Sequence, residues 1–430
     1  MSEYKLSIVV PTFNVENTID KTFNSMKKQT LGFSDIELIF VDDCSDDDTY
    51  NIVSRYCENY ENVTVLKTEK NSGFAGKPRN MGLINSNSDY ILFLDGDDQL
   101  LIDSCAVLYN NITNTNSDIA IGGHINRYEN GRLEHIPPMY FGRNEIFDEV
   151  IDSNLFKIMP AIGAKLFKKE LLEKNNVKFM EGIAGQDLVF FLTCILNSNK
   201  INVLNNFYVY YRTITKKSVT FNLNEKYFYG LIKAYSGACD LFEEHDLDYE
   251  IQEMLLTNHL GFFTTQVLRA YSSNGFDNFV LNEILNSKTF EELSDKNIFK
   301  KNIIFEEFFE NMKNGYYQNH SLLKRISDKF NPKLINEYSF LIKQNTIFHN
   351  ENQKLTCEIN RLQNKINNLQ NTNNELNELN CNLNIELKNT KNDLNILNNE
   401  KIELTNTNKN LKNELDDMKA SKLWKLKNKL

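Results

Sequence analysis

The sequence is poor in the residues that build small cross-linked or metal-stabilised domains. Its 430 residues include seven cysteines, six histidines and six prolines, and no two cysteines form a CxxC pair. Such scattered cysteines argue against a zinc module and a disulfide scaffold, and they suit a reducing compartment. The formal net charge of −10 argues against nucleic-acid binding, which usually needs a basic surface.

Long apolar runs are also missing. No window approaches the run of about 20 apolar residues that a membrane-spanning helix needs. The first apolar run, at residues 6–10, has no charged leader before it and meets Pro11 at once, unlike a secretory signal peptide. We therefore expect a cytoplasmic protein. The alternative is a protein bound peripherally to the inner face of the cell membrane.

The first half of the chain has an α/β pattern. Short apolar runs at residues 6–10, 36–41 and 63–66 alternate with amphipathic helical stretches. This alternation predicts an α/β domain over residues 1–221, with helices on the faces of a parallel sheet. In such sheets the ligand crevice lies beyond the carboxyl ends of the strands, so residues that directly follow these runs are favoured site positions.

The second half changes character twice. Residues 222–344 carry longer helical patterns and predict a helical region without evident chemistry. Residues 345–420 repeat apolar side chains at spacings of three and four, with leucine at most d positions. This heptad pattern predicts a coiled coil that makes the protein a homo-oligomer. Asparagines at three a positions, Asn373, Asn380 and Asn408, favour a parallel dimer. The alternative is a helix that folds back on its own domain.

The last ten residues, 421–430, form a short basic segment. Four lysines surround Trp424 and two leucines there. This composition predicts an amphipathic tail that can contact an anionic membrane surface.

The strongest chemical signal is an acidic cluster. Asp95, Gly96, Asp97 and Asp98 directly follow the apolar run at residues 90–94. Several carboxylates at one strand end repel one another, and a divalent cation removes that repulsion while it binds phosphates. The cluster therefore predicts a site for Mg²⁺ or Mn²⁺. An acidic turn or helix cap is the alternative explanation.

Two other segments carry groups suited to a nucleotide. Asp43 follows the second apolar run and is placed to accept a hydrogen bond from a base. Residues 71–80 read NSGFAGKPRN, where two glycines allow close backbone approach and Lys77 and Arg79 supply charge for a diphosphate. The segment is not a P-loop, because Pro78 stands where Ser or Thr is required.

Two later segments are weaker when taken singly. Asp187 precedes the apolar helical stretch 188–196, and Arg212 follows the run 207–211 with Ser218 six residues further on. Taken singly, Asp187 is better explained as a helix N-cap, and Arg212 as part of an ordinary strand end.

Taken in order, these segments resemble the inverting family 2 glycosyltransferases with the GT-A fold. The resemblance rests on the opening SIVVPTFN and on the VDDxS, NxGxxxxRN, DxDD and xDxxF segments, which extend over about half of the chain. The stretch NSGFAGKPRN also resembles the wall teichoic acid glycosyltransferases that modify polyribitol phosphate. The resemblance implies a nucleotide-sugar donor, expected to be UDP-linked, and a glycan, polyol-phosphate or glycolipid acceptor.

The resemblance also implies roles for single residues. Asp187 would deprotonate the acceptor hydroxyl, and Asp97 would ligate Mg²⁺ or Mn²⁺. Asp95 would face the ribose or the metal. Pro11 and Asp43 would hold the base, Asn71 and Arg79 would line the nucleotide pocket, and Arg212 and Ser218 would close over the diphosphate. The other expected donor-binding residues are Thr12, Asn14 and Lys77. The family often has Glu before the base, whereas this chain has Gln186, which puts the surroundings of Asp187 in question.

Two other functions compete with this interpretation. A sugar nucleotidyltransferase would carry a Gly-rich segment with Arg after the first strand, where this chain has residues 11–14, PTFN. An inactive scaffold would act only through its coiled coil. The joint presence of Asp43, Asp95, Asp97 and Asp187 argues against the scaffold.

Overall fold

The computed structural model describes residues 3–139, 144–148, 155, 158–215, 223–272, 277–316 and 332–420. The chain divides into two compact units, Met1–Ile342 and Lys343–Leu430. Two predicted features, Ser218 and the basic tail 421–430, lie outside the described residues.

The strands described in the first unit form one sheet of ten strands. They are β1 (Leu6–Thr12), β2 (Ile36–Asp42), β3 (Val63–Lys67), β4 (Tyr90–Phe93), β5 (Gln99–Leu100), β6 (Ile119–Tyr128), β7 (Leu133–Ile136), β8 (Glu145–Phe147), β9 (Lys165–Lys168) and β10 (Ile201–Ile214). Their order is β3-β2-β1-β4-β9-β6-β10-β5, with β7 paired to β6 and β8 paired to β10.

The sheet is mixed, which corrects the prediction of a parallel sheet. Strands β1 to β4 run parallel to their neighbours among these four, because a crossover helix connects each to the next. Strand β9 is antiparallel to both β4 and β6. The chain enters β9 from a short 3₁₀ turn, Ile162–Ala164, so no crossover imposes the parallel direction there.

Helices cover both faces of the sheet. The first six are α1 (Ile19–Lys27), α2 (Thr49–Asn59), α3 (Gly76–Ile84), α4 (Ser104–Thr115), α5 (Lys169–Lys174) and α6 (Gln186–Asn197). Each face has its own core, since Ile8 and Val10 of β1 belong to one apolar cluster and Val9 belongs to the other. This division follows from the alternation of side chains along a strand.

The predicted helical region is present and shares a core with the sheet. It contains α7 (Glu225–Glu244), α8 (Tyr249–Ser272), α9 (Asn278–Leu285), α10 (Lys288–Ser294), α11 (Asn297–Lys300) and α12 (Ile303–Lys313). Phe190 of α6 lies in one apolar cluster with Phe228 of α7, Phe263 of α8 and Phe305 of α12. These helices therefore complete the hydrophobic core behind α6, which begins at the predicted catalytic segment.

One long helix, α13 (Pro332–Ala420), accounts for residues 343–420 of the second unit. Its leucines and isoleucines between residues 362 and 415 are largely exposed in the single chain. The helical conformation agrees with the heptad pattern, while the pairing of two chains stays a prediction. Among the residues that the structure describes, no helix is long and apolar enough to cross a membrane.

Candidate active site

Three neighbouring parallel strands end at one edge of the sheet. Thr12 at the end of β1 pairs with Asp42 at the end of β2, and Val9 pairs with Phe93 at the end of β4. The loops after these strands therefore open on the same crevice. The VDDxS and DxDD segments, which are far apart in sequence, come together there for this reason.

Asp43 is buried and organises the loop that follows β3. The Ser72 backbone N–H donates to both of its carboxylate oxygens, at 3.1 and 2.9 Å, and the Ser72 hydroxyl donates to Oδ2 at 2.8 Å. The Thr68 hydroxyl donates to Oδ1 at 2.8 Å. Sequence reasoning missed Ser72 and Thr68, although Thr68 directly follows a strand. Recognition of a base by Asp43 stays a prediction.

Asn14 and Asn71 shape loops at this edge. The Asn14 side chain accepts from the Asp46 backbone N–H at 2.8 Å, and its own N–H donates to the Ser45 hydroxyl at 3.1 Å. The Asn71 side chain accepts from the Gly73 N–H at 2.7 Å. Both asparagines thus fix loop geometry, and direct contact of either with a donor stays a prediction.

The Thr12 side chain lies beside the acidic loop at residues 95–98, and its hydroxyl is buried. Its Oγ1 has no hydrogen-bond partner among the described residues. Its methyl group lies 3.2 Å from the position a Cβ would take at Gly96, and the Pro11 carbonyl lies equally close. A buried hydroxyl without a partner is costly in a protein alone, so this position suits a ligand that supplies the missing bond.

Arg79 connects the acidic loop with the segment that begins α6. Its side chain is only 7% exposed, and it donates from Nη2 to Asp95 at 2.7 Å and from Nη1 to Asp187 at 2.6 Å. Its guanidinium also lies 5.2 Å from the ring centre of Phe179. Burial opposes the charge, but Asp187 and Asp95 outweigh burial and raise the pKa of Arg79. Arg79 thus joins residues that are 16 and 108 positions away in sequence.

Asp187 does not cap its helix, so that alternative is wrong. The N-cap of α6 is Gly185, and Asp187 lies in the first turn with its side chain 31% exposed. Burial raises the pKa of Asp187, and the positive charge of Arg79 opposes that rise. A carboxylate held at one oxygen and partly open to solvent has the geometry of a general base.

Gln186 is buried beside Asp187. A Cβ at Gly76 would overlap the Gln186 amide oxygen and the Met180 carbonyl, so α3 approaches this segment as closely as glycine permits. The amide oxygen has no hydrogen-bond partner among the described residues. A neutral side chain here avoids the burial of a second negative charge next to Asp187, which gives a physical reason for the departure from the family's Glu.

The carboxylates of the acidic loop repel one another, and burial disfavours the charges of Asp97 and Asp98. Burial raises the pKa of Asp97 to about 6, and repulsion from Asp95 adds to the rise. The pKa of Asp98 is raised by burial and then by Asp97 and Asp95, and the Asp98 carboxylate accepts from the Thr213 N–H at 2.8 Å. Such crowding is relieved when a cation binds.

A divalent ion fits this donor set when a substrate supplies the other oxygens. Among the described residues, no group of three or more His, Cys, Asp or Glu side chains is arranged to hold a metal alone. Mg²⁺ is often bound by one or two carboxylates together with substrate phosphates and water. Asp95, half exposed, and Asp97 match that arrangement.

Positive charge at the site comes from α3 and β10. Arg212 lies beside Thr213, whose hydroxyl donates to the Asp97 carbonyl at 2.7 Å. Burial opposes the charge of Arg212, while Tyr210, Asp98 and Asp95 raise its pKa. Lys77 is partly exposed in the first turn of α3. Hydrogen bonds and electrostatic interactions therefore connect Arg79, Asp95, Asp97, Asp187 and Arg212. Asp43 follows the strand β2 at the same edge of the sheet.

Comparison with known families identifies the N-terminal part of the chain. Residues 7–174 match the model of the family described as "Glycosyl transferase family 2". The glycosyltransferase GlyG of Streptococcus pneumoniae is 30% identical over 225 residues, which are 49% of this chain and 72% of GlyG.

Two other relatives have more specific names. The poly(ribitol-phosphate) beta-glucosyltransferase of Bacillus spizizenii is 33% identical over 270 residues, or 61% of this chain and 41% of that protein. The poly(ribitol-phosphate) beta-N-acetylglucosaminyltransferase TarP of Staphylococcus aureus is 28% identical over 285 residues, or 64% of this chain and 82% of TarP. This chain thus spans less than half of the first of these proteins and most of the second.

The fold has a counterpart among solved structures. The structure of residues 1–349 of S. aureus TarS in complex with UDP matches with a TM-score of 0.54 and 22% identity, over 73% of this chain and 92% of that one. This likeness confirms the predicted GT-A fold.

Proposed function

The chain belongs to glycosyltransferase family 2, and from this we propose that it transfers a sugar from a UDP-linked donor to a hydroxyl of a polyol-phosphate polymer, with inversion. The observation that carries the proposal is the Arg79 bridge. One buried cation holds a carboxylate of the acidic loop and the carboxylate at the start of α6 within hydrogen-bond distance. A donor bound along the acidic loop therefore lies next to Asp187.

The proposed donor and acceptor follow from the relatives. The TarS structure contains UDP, and two relatives are named for the transfer of glucose or N-acetylglucosamine to poly(ribitol phosphate). In this chain Asp43 and Thr12 lie at the strand ends where a nucleoside would bind, and Arg212 brings positive charge to the diphosphate end. We propose synthesis of a cell-surface polymer as the setting of the reaction.

Asp187 is the proposed general base. Arg79 hydrogen-bonds Oδ1 of Asp187, and Oδ2 takes the proton of the acceptor hydroxyl. The acceptor oxygen then bonds to the anomeric carbon while the bond from that carbon to the donor diphosphate breaks. Because attack and departure occur on opposite faces of the sugar, the anomeric configuration inverts.

Asp97, with Asp95, would hold Mg²⁺ or Mn²⁺. When bound, the ion supplies positive charge against the diphosphate that leaves. The protein's own contribution at that end is the guanidinium of Arg212, which is partly buried and already surrounded by carboxylates.

The direct test is donor turnover. Purified protein with Mn²⁺ is expected to release UDP slowly from UDP-glucose or UDP-N-acetylglucosamine, and faster when a synthetic ribitol-phosphate oligomer is added. NMR of the product is expected to show the β-linkage, inverted from the α-linked donor. If UDP is released from neither donor, with or without acceptor, the proposal is wrong.

Arg79 is expected to set the acid limit of activity. Its charge lowers the pKa of Asp187 against the effect of burial, so Arg79→Met leaves burial unopposed and raises that pKa further. Since the base works only when ionised, the acid limb of the kcat profile should move to higher pH by about 1–3 units, the usual effect of one nearby charge. Arg79→Lys, which keeps the charge, should shift the limb less. An unchanged limb in Arg79→Met would mean that another group titrates.

Asp97 is expected to destabilise the metal-free protein at neutral pH. Its folded pKa of about 6 exceeds the ordinary aspartate value, so the destabilisation is absent below pH ~4 and grows as pH rises through about 6. A difference of roughly two pKa units corresponds to about 3 kcal/mol. In EDTA at pH 7.5, Asp97→Asn should therefore unfold at a higher temperature than wild type.

The matched control for this experiment is Asp103→Asn. Asp103 is exposed and accepts a hydrogen bond from Thr30 at 2.9 Å, so its replacement should change the unfolding temperature little. Added Mn²⁺ with UDP should stabilise wild type and the control, because a ligand that binds only the folded state raises its stability. If Mn²⁺ with UDP stabilises Asp97→Asn as much as wild type, Asp97 is not a metal ligand.

Assembly and location complete the proposal. We propose that two copies of α13 pair through the heptad seam, which gives a homodimer. The cytoplasmic location and the membrane contact of residues 421–430 stay predictions.

A further inference from the structure

A cleft of about 290 Å³ opens beside the segment that leads to Asp187. One wall is the loop at Gly182 and Ile183, and the other is the first half of α7, with Lys226, Tyr229 and Lys233. None of these residues is among the donor-binding residues named above, although the Lys226 ammonium group lies 5.2 Å from the ring centre of Phe74, in the segment 71–80.

The position of the cleft ties it to the catalytic segment. A Cβ at Gly230 would overlap the Ala184 backbone, so α7 contacts the loop at a distance that only glycine allows. On the other side of the loop, the Ser72 carbonyl lies 3.7 Å from the place of a Cβ at Gly182, and Ser72 is the residue that holds Asp43. The cleft therefore lies along the same short loop that ends at the proposed base.

The charge of the cleft differs from that of the whole chain. Lys226, Tyr229 and Lys233 are at positions i, i+3 and i+7 of α7 and share one helix face. Both lysines are exposed, and neither forms an ion pair with another described residue. Glu225 is the one acidic side chain among the described residues that line the cleft, so these residues together carry a net positive charge in a protein whose formal net charge is −10.

We propose that this cleft binds a backbone phosphodiester of the acceptor, next to the polyol unit whose hydroxyl reaches Asp187. The inference rests on the proposed function and assigns the acceptor side of the same site. The backbone positions of the two lysines are about 10 Å apart along the helix, and their ammonium groups can hold a chain with repeated negative charges. Tyr229 between them offers an aromatic face and a hydroxyl to the polyol. A neutral glycan has no charge that these two cations would recognise.

The test compares acceptor kinetics of Lys226→Met, Lys233→Met and the control Lys288→Met. Lys288 of α10 is 87% exposed and does not line the cleft. With a synthetic ribitol-phosphate oligomer, each cleft variant should raise the acceptor KM about tenfold, the effect of one lost charge-assisted hydrogen bond. The donor KM should stay within about twofold of wild type, and Lys233→Arg should restore most of the acceptor affinity.

Salt dependence gives a second readout. Added NaCl should raise the acceptor KM of wild type more steeply than that of the Lys226→Met/Lys233→Met double variant. The double variant lacks two exposed positive charges, so salt has less attraction for the acceptor to screen. A thermal unfolding scan of each variant checks that the fold is intact, which is expected for exposed side chains.

Each contrary result has a distinct meaning. An unchanged acceptor KM in both single variants would refute the cleft as the acceptor site. A donor KM that rises as much as the acceptor KM would assign Lys226 or Lys233 to the donor diphosphate instead. Donor hydrolysis by wild type with no transfer to ribitol-phosphate or glycerol-phosphate oligomers would refute the acceptor class alone. A failure of donor hydrolysis would refute the proposed function itself.

Discussion

Asp187→Asn is expected to lower kcat for sugar transfer by about 1,000-fold, the scale of a lost general base. Asparagine has the shape of aspartate, and its amide oxygen can still accept the hydrogen bond that Arg79 donates at 2.6 Å. The variant therefore keeps the link between α3 and α6 but cannot take a proton. UDP should bind with nearly unchanged affinity, which isothermal titration calorimetry can measure.

The pH profile distinguishes a base from a purely structural carboxylate. Wild-type kcat should fall as pH drops through the raised pKa of Asp187, whereas the residual activity of Asp187→Asn should lose that acid limb. Asp103→Asn, which changes an exposed aspartate outside the crevice, controls for charge removal and should behave as wild type. Transfer by Asp187→Asn at the wild-type rate would mean that another group deprotonates the acceptor.

Part of the site was predictable because it depends on local order along the chain. Asp43 and Asp95 directly follow apolar runs, and the ends of neighbouring parallel strands meet at one edge regardless of the details of packing. The predictions of a donor crevice and of a GT-A fold needed only that rule and the family-like motifs. The mixed character of the sheet was missed, because β9 enters from a short turn whose sequence shows no sign of strand direction.

The contacts that span long sequence distances were beyond the sequence. Arg79 was expected to meet a diphosphate, yet its guanidinium bridges Asp95 and Asp187, and residues 16 and 108 positions apart carry no local signal of that contact. The same holds for Ser72 on Asp43 and for α7 on the loop before Asp187. These contacts depend on how α3 and α6 pack, which is decided by the shared core rather than by any single motif.

The apolar seam of α13 contrasts with the core of the first unit, because its leucines and isoleucines between residues 362 and 415 are largely exposed in the single chain. An 89-residue helix is about 130 Å long. Leu383, at a d position, is 53% exposed, and Ile385, two residues later on another face, is 54% exposed. Exposure in the single chain therefore does not distinguish the two positions. Only the heptad spacing does, and it predicts that Leu383 is buried when two helices pair.

Three charged substitutions in the seam are expected to convert a dimer into a monomer. The seam variant carries Leu383→Glu, Leu397→Glu and Leu404→Glu, all at d positions. The matched control carries Ile385→Glu, Ile396→Glu and Ile402→Glu, all outside the seam, with side chains as exposed in the single chain as those of the seam variant. A buried unpaired carboxylate at each d position opposes pairing strongly, whereas the same charge on the outer faces remains hydrated.

Light scattering coupled to gel filtration measures the outcome. Wild type and the control should have about twice the chain mass of 50.1 kDa. The seam variant should have the mass of one chain. UDP-donor hydrolysis should be equal in all three, because the donor site lies wholly within the first unit. A monomeric wild type would refute pairing, and loss of assembly in both triple variants would show that general apolarity, rather than the heptad register, holds the copies together. If wild type has the mass of three chains, the heptad seam still holds the copies together, but the assembly is a trimer instead of a dimer. The choice of a and d residues sets the number of helices in a coiled coil.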